Sequence, residues 1–187
     1  MKMKKSIKLP VFLGAVALIS TAALAIVNGF TEPVIEQNIR AKANEGYLTM
    51  FGLDNFDNYE LSNLEISDEL SNAGVTNILQ LKEGDSIFGA AYDITSNGYG
   101  GELSFQVAFS GSKYAGFNIV SSKETPGFGS DILDEFTTYL KGKDISTTMA
   151  QIRADVEAVK AGSTITLDAV MGPLESVVSA YKTLSGR

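Results

Sequence analysis

Residues Leu9 to Thr31 carry no charged side chain, and four lysines, Lys2, Lys4, Lys5 and Lys8, precede them. As a helix these 23 residues span roughly 34 Å, enough to cross a hydrocarbon core of about 30 Å. A secretory signal also opens on lysines and an apolar run, but its apolar part is usually about 7–15 residues long. Ala22-Ala23-Leu24-Ala25 offers small residues for cleavage, yet Ile26 and Val27 continue the apolar run. The length predicts a retained transmembrane helix, with the lysines on the cytoplasmic side and the remainder facing outward.

The remainder is acidic. With the four leading lysines set aside, 11 basic residues face 22 acidic ones, net −11. No basic face is available for a nucleic acid backbone, so nucleic acid is excluded as a partner. The chain has no Cys and no His. That removes disulfides, Cys/His metal sites and every His-based catalytic triad. Chemistry at neutral pH must come from carboxylates, Lys, hydroxyls or a borrowed cofactor.

Glu32 to Met50 continues as a polar amphipathic helix, a stalk, with Pro33 tolerated in a first turn. Asn55 to Ala73 is weakly patterned and predicts a loop followed by a helix. From Ile78 the apolar period becomes two. Ile78–Leu81, Ile87–Thr95, Leu103–Phe109 and Tyr114–Val120 read as four strands, with Leu103, Phe105, Val107 and Phe109 on one face. The turns Glu83-Gly84-Asp85 and Ser110-Gly111-Ser112-Lys113 make them an antiparallel meander. Ile132–Leu140 reads as a helix capped by Ser130 or Asp131. Ile145–Arg153 reads as a connector with a strand at its end, and Leu167–Leu184 as a terminal amphipathic helix despite Pro173. The expected class is α+β: one transmembrane helix, then a mainly antiparallel sheet of about four or more strands flanked by helices. The expected divisions are 1–31 for the lysine-rich start and membrane helix, 32–76 for the stalk and acidic region, and 77–187 for the main domain.

Chemistry can concentrate in three places. Gly98-Tyr99-Gly100-Gly101 joins two strands, and its glycines allow the backbone to approach a ligand closely; the plainer reading is a wide turn with a packed Tyr. Lys123-Glu124-Thr125-Pro126-Gly127-Phe128-Gly129-Ser130 contains a Pro-Gly turn with Phe128 at its tip; the plainer reading is an ordinary corner between strand and helix. Glu157 to Thr166 reads as a short strand or turn entering the last helix, with Gly162, Ser163, Thr164 and Thr166 at the junction. Hydroxyls and free amides at a helix start suit a phosphate, while Ser163 or Thr164 also suits a plain helix cap. Asp131, Asp134 and Glu135 read as a solvated helix face, so a carboxylate hydrolase is a poor reading.

Taken in order, these features resemble the RnfG/NqrC family, the FMN-binding subunits of two ion-translocating oxidoreductases. The RnfG type belongs to the Rnf electron-transport complex, and the related NqrC type to the sodium-translocating NADH:quinone reductase. The resemblance rests on the N-terminal helix running into Glu32–Ala43, on Gly98-Tyr99-Gly100-Gly101, on Glu124-Thr125-Pro126-Gly127-Phe128-Gly129 (Glu-Thr-Pro-Gly-Leu-Gly in the family), and on Gly162-Ser163-Thr164 followed by Ala169-Val170. The chain departs from the family's Ser-Gly-Ala-Thr flavinylation motif at Ala161 and Ser163. It also has Ala158, with Glu157 beside it, where the family carries an Asp.

The resemblance implies FMN joined through its phosphate to Thr164 by a separate flavin transferase. It implies Gly162, Ser163 and Thr166 around the phosphate, with Glu124, Thr125, Gly127, Phe128, Gly129, Tyr99 and Gly100 in the loops near the ring, and Tyr99 and Phe128 as stacking groups. No catalytic residue and no metal ligand is implied. The expected role is electron transfer inside an ion-translocating Rnf-type complex, as a redox carrier rather than an enzyme on its own. Its partners would be the other membrane subunits, the transferase and membrane lipid. The short chain favours the RnfG type over the NqrC type. A free-standing extracellular flavin carrier and a flavin-free membrane-anchored assembly module are the alternatives.

Overall fold

The computed structural model describes the backbone of residues 5–159 and 163–186, and the side chains of residues 10–25, 44–158 and 163–186. The chain divides into two compact units, Met1–Ala41 and Lys42–Arg187. Helix α1 (Lys5–Phe51) forms the first and opens the second. Of the predicted membrane span, residues 10–25 are exposed throughout, including Val11, Phe12, Leu18, Ile19 and Leu24. The side chains of Leu9 and of residues 26–31 lie outside the described residues. Among the described residues no helix is long and apolar enough to cross a membrane.

In the second unit, the alternating segments form one antiparallel sheet in the order β1-β2-β3-β4-β5. The strands are β1 (Glu60–Asn63), β2 (Val75–Glu83), β3 (Ser86–Gly98), β4 (Gly101–Ser110) and β5 (Lys113–Ser121). Each pairs with its sequence neighbour, so the sheet is a plain meander. The sequence predicts about four strands, and β1 is the addition. Its four residues hold one apolar side chain, Leu61, which is largely exposed at the sheet edge. An edge strand with no buried face leaves little period-two signal.

Among the described residues four further helices complete the unit: α2 (Asp68–Asn72), α3 (Gly129–Leu140), α4 (Met149–Val159) and α5 (Thr164–Leu184). Ile132, Leu133, Phe136 and Leu140 of α3 recur at helical spacing and are buried. So do Leu167, Val170, Leu174, Val177, Val178 and Tyr181 of α5, which continues through Pro173. They close on Tyr92, Ile94, Leu103, Phe105, Val107, Phe109, Tyr114 and Phe117 from one face of the sheet. Each such side chain, fully buried, contributes about 1.5–3 kcal/mol of transfer free energy. Phe109 lies at the centre, stacked on Tyr181 at 4.8 Å and edge-on to Tyr92 at 5.8 Å between ring centroids.

Residues 145–159 correct the sequence reading. The predicted strand at the end of the connector is helix α4, and Glu157 lies within it. Ile152 and Val156, four apart and fully buried, fix its inner face, which is helical spacing rather than alternation. The start of α3 is a second correction. It begins at Gly129, Phe128 occupies the cap position, and no side chain caps it. Asp131 is used differently: its Oδ1 accepts from the Gly127 N–H at 3.1 Å.

The opposite face of the sheet is covered by the end of α1. Tyr47 and Met50 pack with Leu79, Leu81, Ala91 and Ala108. Glycines permit the approach: a Cβ on Gly116 would stand 3.1 Å from the Met50 Cα, and one on Gly46 would enter Asn118 and Gln106. A polar network lies in this face. The Tyr47 hydroxyl donates to the Asp93 carboxylate (2.6 Å to Oδ2), Gln106 Nε2 donates to Asp93 Oδ1 at 2.9 Å, and Asn118 Nδ2 donates to Gln106 Oε1 at 2.8 Å. Burial, then the Asp93 carboxylate, push the Tyr47 hydroxyl far above its ordinary value.

Candidate functional site

Three segments meet at one end of the helical face. The first is the β3–β4 turn. Gly98 pairs with Gly101, so Tyr99 and Gly100 form a tight two-residue connection rather than a wide one. Tyr99 does not pack inward; it is 74% exposed.

The second segment joins β5 to α3. Thr125-Pro126-Gly127-Phe128 closes with the Phe128 N–H on the Thr125 carbonyl at 3.2 Å, and Gly127 has φ +84°. Pro second and a positive-φ Gly third is the pattern of a type II turn, which only Gly satisfies without strain at its third position. The turn puts Phe128 out at 66% exposure. The Ser130 hydroxyl donates to the Thr125 carbonyl at 3.3 Å and braces it.

The third segment is the start of α5. Ser163 stands at the cap position, but its side chain makes no capping bond. The first intrahelical bond is from Leu167 N–H to the Ser163 carbonyl at 2.9 Å. The amides of Thr164, Ile165 and Thr166 therefore precede the intrahelical ladder. The plain helix cap foreseen for Ser163 or Thr164 is not made through a side chain. Arg153 of α4 braces this end by pairing with Asp168 in the first turns of α5 and with Glu157 at 3.4 Å. The Asp168 partner raises the guanidinium further above its ordinary value.

The three segments line a single cavity of about 630 Å³, formed by Tyr99, Glu124, Thr125, Phe128, Gly129, Ser163, Thr164 and Ile165. Glu124 ties it together. Its Oε1 accepts from the Gly100 N–H at 3.1 Å, and its carboxylate presses on the Cα positions of Gly98 and Gly129 so closely that a Cβ at either would enter it. At Gly100 a Cβ would strike the backbone of Lys123. These three glycines form the slot that holds the Glu124 side chain.

The expected site residues are thus gathered with few exceptions. Tyr99, Glu124, Thr125, Phe128, Gly129, Ser163 and Thr164 line the cavity. Gly100 touches it through Glu124, and Gly127 shapes the turn without lining it. Thr166 lies behind the wall, fully buried, with its Oγ1 lacking a hydrogen-bond partner among the described residues and 2.9 Å from where a Gly129 Cβ would be. Gly162 lies outside the described residues. Ile165 is the lining residue that the sequence reading missed. It is 54% exposed, and its only signal is an apolar side chain on the outer side of a helix start.

Two family matches bear on this arrangement. The RnfG N-terminal region matches residues 1–46, and the FMN-binding domain matches residues 98–179. The chain belongs to the RnfG/NqrC-type FMN-binding subunits. No curated protein matches it in sequence. All three cavity-forming segments fall within the matched FMN-binding domain. The α+β unit with its antiparallel sheet fits that domain, and the chain is a flavin-binding electron-transfer subunit. The cavity residues suit such a cofactor. The uncapped α5 start offers amides and dipole to a phosphate, and Tyr99 and Phe128 offer planar apolar surface to a ring.

Proposed function

We propose that this protein carries FMN as a phosphoester on the Thr164 Oγ1, installed by a separate flavin transferase, and works within an Rnf-type ion-translocating complex. The observation that carries the reading is the position of Thr164. It is an exposed hydroxyl at the first turn of a helix whose cap side chain makes no capping bond, and it opens into the cavity that Tyr99 and Phe128 share. The flavin supplies the redox chemistry that a chain without Cys or His lacks. The amides of Thr164 to Thr166 hold the phosphate charge. Tyr99 and Phe128, which line the cavity, would hold the ring by their apolar surface. A covalent link suits an exported carrier, because an unattached cofactor outside the cell is lost to dilution.

The membrane part of the proposal rests on the uncharged run Leu9–Thr31, on the lysines before it, and on the exposed apolar side chains of residues 10–25. An apolar surface of that kind has no stable place in water. The N-terminus is then cytoplasmic and the FMN domain faces outward, among the complex's other membrane subunits.

Co-expression of the full chain with a flavin transferase tests the carrier reading. Intact mass should show one added FMN, in-gel fluorescence should follow the band, and Thr164→Ala should lose both. A wild-type chain without added mass would leave a flavin-free assembly module as the reading. Since the chain has no Cys, topology is read from single introduced ones. Ser185→Cys should react with an impermeant thiol reagent in intact cells, whereas Lys2→Cys should not.

A further inference from the structure

We propose that Glu124 is the positioning and potential-setting residue of the flavin site: its carboxylate latches the two glycine loops together and places a fixed negative charge on the cavity wall. The inference rests on the flavin reading and adds a role that the family match does not assign.

The latch is visible in the contacts. Glu124 reaches from the β5–α3 loop to the β3–β4 turn, where Oε1 takes the Gly100 N–H at 3.1 Å. Its own backbone is set by the Glu124 N–H on the Ser122 Oγ at 3.1 Å. Gly98 and Gly129 lack the Cβ that would expel the carboxylate. Tyr99 is carried by the turn that Glu124 holds, and Phe128 by the loop that Glu124 belongs to. One side chain therefore sets the spacing of the two aromatic walls.

The charge follows from the lining. Among the described residues around the cavity, Glu124 is the one carboxylate, and none is a Lys or Arg. Among the described residues no cation pairs with Glu124. A ring seated in this cavity would lie beside a carboxylate that no described cation neutralises. Like charge at a few ångströms opposes electron uptake, so the carboxylate keeps the bound flavin a stronger reductant than a neutral side chain would.

Glutamine separates the two roles, because its amide oxygen can still accept from Gly100 while the charge is gone. The full chain is co-expressed with a flavin transferase as wild type, Glu124→Gln, Glu124→Asp and Glu124→Ala. Loading is read by intact mass, folding by melting, and the couple by redox titration of the flavin absorbance. In Glu124→Gln the reduced-to-oxidised ratio at fixed ambient potential should rise about tenfold, which is about 30 mV for a two-electron couple. Glu124→Asp should stay within about twofold of wild type, and Glu124→Ala should load poorly while still melting cooperatively. Loss of loading in Gln with loading kept in Asp also supports the charge role, since the isosteric variant is then the worse one. A loaded Glu124→Gln within twofold of wild type, or an Asp variant shifted as far as Gln, overturns the proposal and leaves the flavin reading intact. Equal loss of loading in all three variants leaves a steric role only and overturns it as well. A wild-type chain that carries no flavin overturns the flavin reading and this role with it.

Discussion

On one face of the sheet, Phe105, Val107 and Phe109 of β4 meet helices α3 to α5 across an apolar interior. On the other face, Gln106 of the same strand joins Asp93 and Tyr47 in a chain of hydrogen bonds beneath the end of α1. Adjacent residues on one strand thus serve two kinds of interface. Apolar burial is strong but non-directional. Hydrogen bonds add less net free energy, yet they demand particular distances and angles. The helical face accounts for why the unit folds, and the Tyr47 face fixes how the end of α1 seats on the sheet. The cavity belongs to the first face, at the end where its loops gather.

The largest expected effect breaks the apolar face. Phe109→Ala removes a ring packed against Tyr92, Tyr114 and Tyr181, and should lower the stability of the Lys42–Arg187 unit by about 3–5 kcal/mol in denaturant titration. A loss below about 1 kcal/mol would show that the apolar face does not dominate. The polar face should yield less. Asp93→Ala removes the carboxylate that accepts from the Tyr47 hydroxyl and from Gln106 Nε2, a cost of about 1–3 kcal/mol. Flavin loading should stay at the wild-type level, because the network lies on the face away from the cavity; a loading defect in a folded protein would show that the faces are coupled.

Gly129→Ala probes the cavity without touching either face. Its Cβ would displace the Glu124 carboxylate and crowd the Thr166 Oγ1. The unmodified chain should then bind free FMN about tenfold more weakly, about 1.4 kcal/mol, with little change in melting; unchanged affinity in fluorescence titration would remove Glu124 from the site. The smallest effect concerns Asp155, a carboxylate on the helical layer rather than in the sheet. Asp155 accepts from the Tyr139 hydroxyl and from Gln151 Nε2, both at 2.6 Å, and these bonds lower its pKa. The Tyr139 hydroxyl is pushed up to about 12, by burial first and then by Asp155. A carboxyl depressed in the folded state stabilises above its unfolded value, about 3.9, and loses that contribution as pH falls through the lower folded value. Tyr139→Phe should therefore flatten the acid limb of the stability profile slightly, and an identical profile would show that the pair contributes nothing.

How much of this was legible in the sequence differs between the same regions. The alternation of Leu103, Phe105, Val107 and Phe109 gives β4 and its buried face directly, because one face is apolar throughout. The three loop segments were legible as separate motifs, and only the fold brings them to one cavity. Strand β1 was not legible, since Leu61 alone cannot report a face. Helix α4 was obscured because its inward stripe is reduced to Ile152 and Val156. The Tyr47–Asp93 bond spans 46 residues, and no local pattern announces a polar pair at that separation. The Glu124 slot was hidden for a related reason. Gly98 and Gly100 read in the sequence as room for a ligand beside the backbone, whereas in the fold the room at Gly98 and Gly129 is taken by the Glu124 carboxylate.

The plain strand order has a consequence in time. Each strand pairs with its neighbour in sequence, so the sheet can grow hairpin by hairpin with small losses of chain entropy. Thr164 belongs to the last helix, which must close over a sheet already formed, and which leaves a ribosome after everything it packs against. The Thr164 hydroxyl and Ile165 are therefore the last parts of the cavity to arrive. A modifying enzyme that acts before α5 docks would meet an open, unstructured tail, and one that acts afterwards would meet a finished pocket. Under the attachment proposed for Thr164, the order of synthesis would give the cell a window in which modification and completion of the fold compete.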